Sequence, residues 1–443
     1  MERSMNIGRH NIWSRVLRNA GWMLGTNFLT ALLAFSTLSL NARALGSTGL
    51  GILAITATIF ATIDRLCSFE TWRPVITIGV ETKSGSERSH LADVTMVAFT
   101  LDVISAAAAF AAGILVVHFT GSFFGIPDHV IWAAEVFMAP LLLRISGFAL
   151  GLLRLQNRFA LTNTIQLVEA IARLIVSAVL MAMNAGLSTY LLTFGLIAAL
   201  INSSLLVIGL AQASQVGVKW NLIAVKRAWL SSGAIVWKLS WLSSASGIIT
   251  MLRQNLDMML VSSMLGAEKA GVYHVANRLA SVLLMGGKPL NVALFAENAH
   301  LAAAGQHKQL VTQVIKGAVS LGTLAIPATL ALALVGQRVL VWTAGPGFEG
   351  AYIPLLLLTI ANFLALVCTL VLQAILFVKG YKVELGCYAA GLAALAVVGP
   401  TSMLLLGISG AGVGQIAFNV VVLVSSVSLV NGWFSFGASG SRS

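Results

Sequence analysis

The stretch MLRQNLDMMLVSSMLGAEKAGVY, residues 251–273, sets a guanidinium (Arg253), an amide (Gln254) and a carboxylate (Asp257) inside a long apolar run. It then closes on an LG-x4-G pattern, Gly266 to Gly271. The same pattern stands in RALGSTGLGIL, residues 43–53, as Gly46 and Gly51. Both pairs are offset by 220 residues (266 minus 46, 271 minus 51). A turn repeated at a fixed offset, each copy joining two apolar blocks, marks a chain built from two copies of one unit. The polar residues inside the blocks set the functional question. A charge at membrane depth costs roughly 2.5–3.5 kcal/mol and needs protein or water around it.

Working outward, 58% of the 443 residues are hydrophobic and 9% charged, with a mean hydropathy of +0.91. That is too little polar surface for a soluble fold of this size. The apolar residues come in blocks of about twenty or more, the length that crosses a bilayer as helix. Polar breaks divide them into about twelve predicted helices, at 20–42, 50–79, 92–118, 131–153, 163–183, 187–210, 237–265, 271–295, 312–336, 351–378, 383–406 and 411–434. The fold class is therefore an all-α polytopic membrane protein. The first run follows Arg3, Arg9, Arg15 and Arg18, but from Ala20 to Leu40 it is too long for a secretory signal core. It reads as an uncleaved first helix.

The longest polar break, about 211–236, contains Lys219, Trp220, Lys226, Arg227 and Trp229, which suits an amphipathic segment at the membrane interface. It separates a predicted N-terminal six-helix bundle, residues 1–230, from a C-terminal six-helix bundle, 231–443. Six spans per half keep the two copies in the same orientation, a parallel repeat.

The net charge of +12 is spread through short loops, which excludes a nucleic-acid patch and points to topology instead. With a cytoplasmic N-terminus, that side receives Arg3, Arg9, Arg15, Arg18, Lys83, Arg88, Arg154, Arg158, Lys219, Lys226, Arg227, Lys238, Lys308, Lys316, Lys379, Lys382 and Arg442. The opposite side receives Arg43, Lys269 and Arg338. The positive-inside rule then places both termini in the cytoplasm.

Catalytic signatures are missing from the sequence. There is no GxxxxGK[ST] phosphate loop, no GxSxG elbow and no metal-ligand spacing among the seven histidines. Cys67, Cys368 and Cys387 form no CxxC pair and read as buried free thiols.

Seven basic residues remain at or near membrane depth: Arg65, Arg73, Arg144, Arg173, Arg253, Arg278 and Lys288, with Asp64, Glu169 and Asp257 as acidic companions. Thr58, Thr62, Arg65, Phe69 and Arg73 recur at helical steps in the second predicted helix. His274, Asn277, Arg278, Ser281 and Lys288 do so in the eighth, Ser243, Ser246, Thr250, Arg253, Gln254 and Asp257 in the seventh. Thr30, Thr37 and Asn41 mark the first, and Thr162, Gln166, Glu169, Arg173 and Ser177 the fifth. Stripes from corresponding helices of the two halves predict a two-lobed polar cavity of net positive charge. Such a cavity selects an anionic substrate, most simply one with phosphates, which guanidinium binds through its planar fork of donors. Blander readings stand beside this one. Glu169–Arg173 and Arg253–Asp257 are each four residues apart and can neutralise within their own helices. Arg73 and Lys288 lie near enough to helix ends to snorkel.

The residues also carry a resemblance. NAGWMLGTNFLTALLAFSTLSLNARALGSTGLGILAITATIFATIDRL resembles the first two helices of Wzx-type O-antigen and exopolysaccharide flippases. These form the polysaccharide transporter branch of the multidrug/oligosaccharidyl-lipid/polysaccharide (MOP) superfamily. RQNLDMMLVSSMLGAEKAGVYHVANRLAS looks like the start of that family's second half, and KPLNVALFAENAHL and GFEGAYIPLLLLTIANF are similar to its later segments. The resemblance implies a MATE-like fold, two six-helix bundles around a central cavity that opens alternately to either side. It implies a bacterial inner-membrane transporter, not an enzyme, that flips undecaprenyl-diphosphate-linked oligosaccharide units for O-antigen, capsule or exopolysaccharide assembly. Arg65, Arg144, Arg253, Arg278, Arg73 and Lys288 are then candidates for the diphosphate. Asp257, Gln254, Asp64, Glu169, Arg173 and Asn277 are candidates for cavity polarity or coupling. No cofactor is implied beyond a proton or sodium ion as candidate coupling ion, and a polysaccharide polymerase and a chain-length regulator are candidate partners. The alternatives are a multidrug or cation antiporter of the same superfamily and a lipid-modifying enzyme of the same pathway. The absence of Asp or Glu from the first helix argues against the antiporter, and the short external loops argue against the enzyme.

Overall fold

The computed structural model describes residues 2–81, 88–156 and 158–437. Lys83, Arg442 and the side chains of Arg3, Arg9, Arg15, Arg18, Arg88, Ser243, Ser246, Thr250 and Lys288 lie outside the described residues. In chain order the helices are α1 (Glu2–Cys67), α2 (Trp72–Glu81), α3 (Arg88–Thr120), α4 (Asp128–Val136), α5 (Gly147–Leu155) and α6 (Phe159–Ala182). They continue as α7 (Leu187–Val216), α8 (Leu222–Ala303), α9 (His307–Ala344), α10 (Tyr352–Lys379), α11 (Tyr381–Leu406) and α12 (Ser409–Gly437). Short 3-10 turns occupy Ser122–Phe124, Ala139–Leu143 and Glu349–Ala351, and no strand occurs among the described residues.

The two longest helices are each two arms folded at a glycine. Gly46 in α1 has φ 67° and ψ −174°, and Gly266 in α8 has φ 82° and ψ 174°. Residues with a Cβ resist that conformation, so glycine is what the fold needs at both places. With the arms separated, each predicted apolar block falls on one helix, one arm or one broken helix. Among the described residues eight helices are long and apolar enough to cross a membrane, nine with α4 and α5 taken as one span bent by 43°. Large apolar side chains lie exposed along faces that lipid would cover, as with Ile315, Val319, Ile326, Leu330 and Leu334 on α9.

Internal contacts divide the chain into two compact units. One comprises Met1–Ala44, Ile59–Ser122 and Ile126–Ile248; the other comprises Leu45–Thr58, Phe123–Gly125 and Ile249–Ser443. The second unit thus takes in two short pieces of the N-terminal half, and it begins at Ile249 rather than near 231. The predicted interfacial stretch 211–236 is mostly helix. α7 runs to Val216 and is capped by Gly217 in the left-handed conformation, while the Asn221 side chain accepts the Ala224 N–H at 2.7 Å to start α8.

In the first unit two predicted continuous helices are broken. The 50–79 block is interrupted between Cys67 and Trp72, and the 131–153 block between Val136 and Gly147. Proline is the local cause: Pro74 lacks an N–H for the Glu70 carbonyl, and Pro140 opens the 3-10 turn. Val75, Ile78, Val94, Val97, Leu101, Phe148 and Leu152 pack the resulting core. In the second unit Leu372, Leu395, Phe418 and Val422 join α10, α11 and α12 around buried Cys368 and Cys387. All three cysteines are free.

The repeat shows itself within the second unit. A Cβ on Gly51 would overlap the Ala267 carbonyl oxygen, and a Cβ on Gly271 would overlap the Ser47 carbonyl oxygen. Ser47 and Ala267 are again 220 residues apart (267 minus 47). The two turns therefore pack backbone on backbone, each glycine admitting the other copy.

Candidate functional site

Arg253 lies thirteen residues before Gly266 (266 minus 253), and Arg278 lies twelve after it (278 minus 266). Because the arms of α8 run back to back from that glycine, the two guanidinium-bearing residues sit at one level, about 18–20 Å from the turn at 1.5 Å per residue. Both line a cavity of about 890 Å³ in the second unit, together with Gln254, Asp257, His274 and Asn277 of α8. Thr58 of α1, Asn362, Thr369 and Gln373 of α10, and Gln415 of α12 complete most of its polar wall.

The in-helix pair Arg253–Asp257 does not form. Asp257, 3% exposed, accepts the Met258 N–H at 2.8 Å and the hydroxyl of fully buried Tyr273. That hydrogen bond ties the two arms of α8 across the turn. Arg253 instead lies 5.8 Å from the Phe418 ring centroid, and its backbone carbonyl accepts from Gln415 Nε2 at 3.3 Å. Among the described residues no carboxylate lies within ion-pair distance of Arg253 or Arg278. Two cations with no ion-pair partner among the described residues therefore face one carboxylate already engaged by two donors, which leaves the described wall net positive.

The other candidates lie in the first unit and do not line this cavity. Arg65 and Arg73 both pair with Glu70, Arg73 Nε at 2.9 Å from Oε2. Glu70 is 6% exposed, and its backbone N–H donates to Ser244 Oγ at 3.0 Å. Arg144 Nε pairs with Asp64 Oδ1 at 2.8 Å. Arg173 and Glu169 form the intrahelical pair at 2.9 Å, with the guanidinium over the Phe194 ring at 5.1 Å. These charges neutralise one another around or near the broken helices. Lys288 is outside the described side chains.

Sequence reasoning missed Glu70, Asp102 and the α10 amides. Buried Asp102 accepts from Thr71 Oγ1 at 2.6 Å and from the Phe148 N–H at 2.8 Å. One carboxylate thereby joins the ends of both helix breaks, and a Cβ on Gly147 would collide with Thr71 and Asp102. The signal for the α10 wall was present: Asn362, Thr369 and Gln373 recur at steps of seven and four in an otherwise apolar block.

Comparison with known proteins places this geometry. A family model described as "Polysaccharide biosynthesis protein" matches residues 16–295. The chain is similar to "Inner membrane protein YghQ" of Escherichia coli (strain K12), 22% identical over 346 residues, which cover 76% of this chain and 94% of that protein. Among solved structures it is similar to the lipid II flippase MurJ in an inward closed conformation, with a TM-score of 0.72 and 11% identity over 92% of this chain and 87% of that one. It is likewise similar to the inward-facing conformation of a multidrug resistance MATE family transporter of the MOP superfamily, with a TM-score of 0.71 and 12% identity over 94% and 96%. The chain belongs to the polysaccharide biosynthesis protein family and has the all-α, multi-pass membrane fold of these MOP-superfamily relatives.

Proposed function

We propose that the protein is a flippase that moves undecaprenyl-diphosphate-linked oligosaccharide units from the cytoplasmic to the outer leaflet of a bacterial inner membrane. It acts by alternating access, and its product feeds O-antigen, capsule or exopolysaccharide assembly. The observation that carries this reading is the unpaired Arg253 and Arg278 at one level of a polar cavity inside an apolar unit. Two guanidiniums match the charge and the oxygen geometry of a diphosphate, and no bond is made or broken during transport. The exposed apolar helix faces give surfaces along which a lipid tail can lie. Loop charges support two cytoplasmic termini. A proton or sodium ion is the proposed coupling ion, with Asp257 as the carboxylate placed to sense it, and a polymerase and a chain-length regulator are the proposed partners.

A multidrug or cation antiporter, the second reading, would have to hold cations against two unpaired guanidiniums. The test is a leaflet-resolved assay of lipid-linked oligosaccharide, with surface polysaccharide as a second readout, in a deletion strain complemented by Arg253→Gln, Arg278→Gln or both. Membrane levels equal to wild type with lost outward transport are expected for the double variant. Normal transport by that variant overturns the reading. Unchanged glycan on deletion, with drug resistance on overexpression, supports the antiporter instead.

A further inference from the structure

The cavity of the second unit has two chemically distinct parts. Asn291 lies thirteen residues beyond Arg278 on the same arm of α8 (291 minus 278), about 20 Å further from the turn. Its Nδ2 donates to the Leu366 carbonyl of α10 at 3.3 Å, which fixes the level at which the two helices meet. On that side of the cavity α10 presents the Asn362, Thr369 and Gln373 face.

Among the described residues, three amides on this wall have a buried atom with no hydrogen-bond partner: Asn291 Oδ1, Asn362 Nδ2 and Gln373 Oε1. Asn291 is 7% exposed, so bulk water does not serve it. Buried polar atoms in native structures are nearly always satisfied, so three orphans on one wall call for a partner. The partner's chemistry follows from theirs. A phosphate can only accept, and a hydrocarbon can do neither, whereas amides offer donors and acceptors together and match hydroxyls, which do both. Phe295 adds a partly exposed ring at the same end, backed by Phe377 at 5.0 Å between centroids. An aromatic face beside amides suits the C–H face and hydroxyl rim of a pyranose.

We infer that the α10 amide wall with Asn291 and Phe295 is a carbohydrate subsite that reads sugars further along the oligosaccharide while Arg253 and Arg278 hold the phosphates. The sugar end rests on the amides alone; only the phosphate end rests on the flippase reading. The site therefore sets which glycan is accepted, and the arginines set that a lipid diphosphate is accepted at all.

The test uses the full-length protein in nanodiscs and native mass spectrometry with four probes. These are bare undecaprenyl diphosphate and the same lipid carrying a tetrasaccharide of hexoses, of N-acetylhexosamines or of uronic acids. Wild type is expected to bind at least one glycosylated form about tenfold tighter than the bare lipid, the worth of one or two net hydrogen bonds. Asn362→Leu with Gln373→Leu is expected to erase that preference while bare-lipid affinity stays within about threefold. An intact preference in the double variant, equal loss for bare and glycosylated lipids, or no preference in wild type each overturns the subsite. Arg253→Gln with Arg278→Gln forms the separate arm: undiminished bare-lipid binding there refutes the phosphate reading and leaves the sugar comparison standing.

Discussion

The reciprocal glycine contact can be tested by replacing Gly51 and Gly271 with alanine, singly and together. A Cβ on Gly51 would lie 2.8 Å from the Gly271 nitrogen, and one on Gly271 would lie 2.9 Å from the Gly51 nitrogen, besides overlapping a carbonyl oxygen in each case. The obstructing atoms are backbone, so no rotamer change relieves them. The turns must move apart by about 1 Å, and overpacking of this kind costs about 1–3 kcal/mol. Because a single separation makes room for both methyls, the double variant should cost little more than either single. The cycle then yields a coupling of about 2 kcal/mol, where independent sites would add to within about 0.5 kcal/mol. Gly386→Ala is the control: it sits in α11 with nothing within 4 Å of its Cβ, and alanine there gains about 0.5–1 kcal/mol of helix propensity. Denaturant unfolding in one detergent, followed by intrinsic fluorescence, reads all four variants. Additive singles, or singles no worse than the control, would show that the two turns do not pack as described.

Asp102→Ala should destabilise by about 2–4 kcal/mol, since it removes the acceptor of both the Thr71 hydroxyl and the Phe148 N–H in a buried place. Thr71→Val should cost about 1 kcal/mol in the same unfolding assay, and equal losses would refute the assignment of Asp102 as the shared acceptor. Tyr273→Phe leaves the buried Asp257 carboxylate with the Met258 N–H, and a loss of about 1.5–3 kcal/mol is expected. No measurable loss would mean that the tie across α8 contributes nothing to the fold. Asp64→Asn with Arg144→Gln should couple by about 1 kcal/mol, modest because the Arg144 side chain is 44% exposed, and a coupling near zero would remove the pair from the account.

Much of the fold was legible because the bilayer forces it. Apolar blocks and positive-φ glycines are local signals, and both survived into helices and turns at the expected places. The helix breaks were also local, announced by Pro74 and Pro140, but the surrounding apolar runs masked them. Long-range pairing was another matter. Helical direction separates Asp64 from Arg65 correctly, yet nothing in the periodicity says that Asp64 meets Arg144, eighty residues away. The Asp257–Tyr273 bond was closer to reach: the residues stand nine before and seven after Gly266, so a hairpin of helices brings them to nearly one level. Setting Asp257 only against Arg253 on its own helix does not find it. The α10 amides carry no charge, so they mark no apolar block as functional on charge alone, although they stand at helical spacing.

The repeat offset also explains why the glycines matched across the halves while the charges did not. Subtracting 220 from Arg253, Asp257 and Arg278 gives Leu33, Thr37 and Thr58; adding it to Asp64, Arg65 and Glu70 gives Leu284, Met285 and Leu290. None of these six stands opposite a charge. Polar stripes on corresponding helices are thus not equivalent residues, which corrects the symmetric lining expected from the sequence. Thr58 and Arg278, by contrast, are equivalent positions, and both line the second unit's cavity. The two copies kept a common turn and divided the remaining work. In the first unit, Arg65, Arg73 and Arg144 are ion-paired where helices break, so their loss strikes folding. In the second they stand unpaired on a cavity, where loss of charge relieves mutual repulsion and should leave the fold intact or slightly firmer. Transport per folded molecule is the quantity that separates them. It should fall for Arg253→Gln and Arg278→Gln at unchanged unfolding midpoints, whereas Arg65→Gln should lower the midpoint itself by exposing the buried Glu70 carboxylate to the loss of one of its two cations.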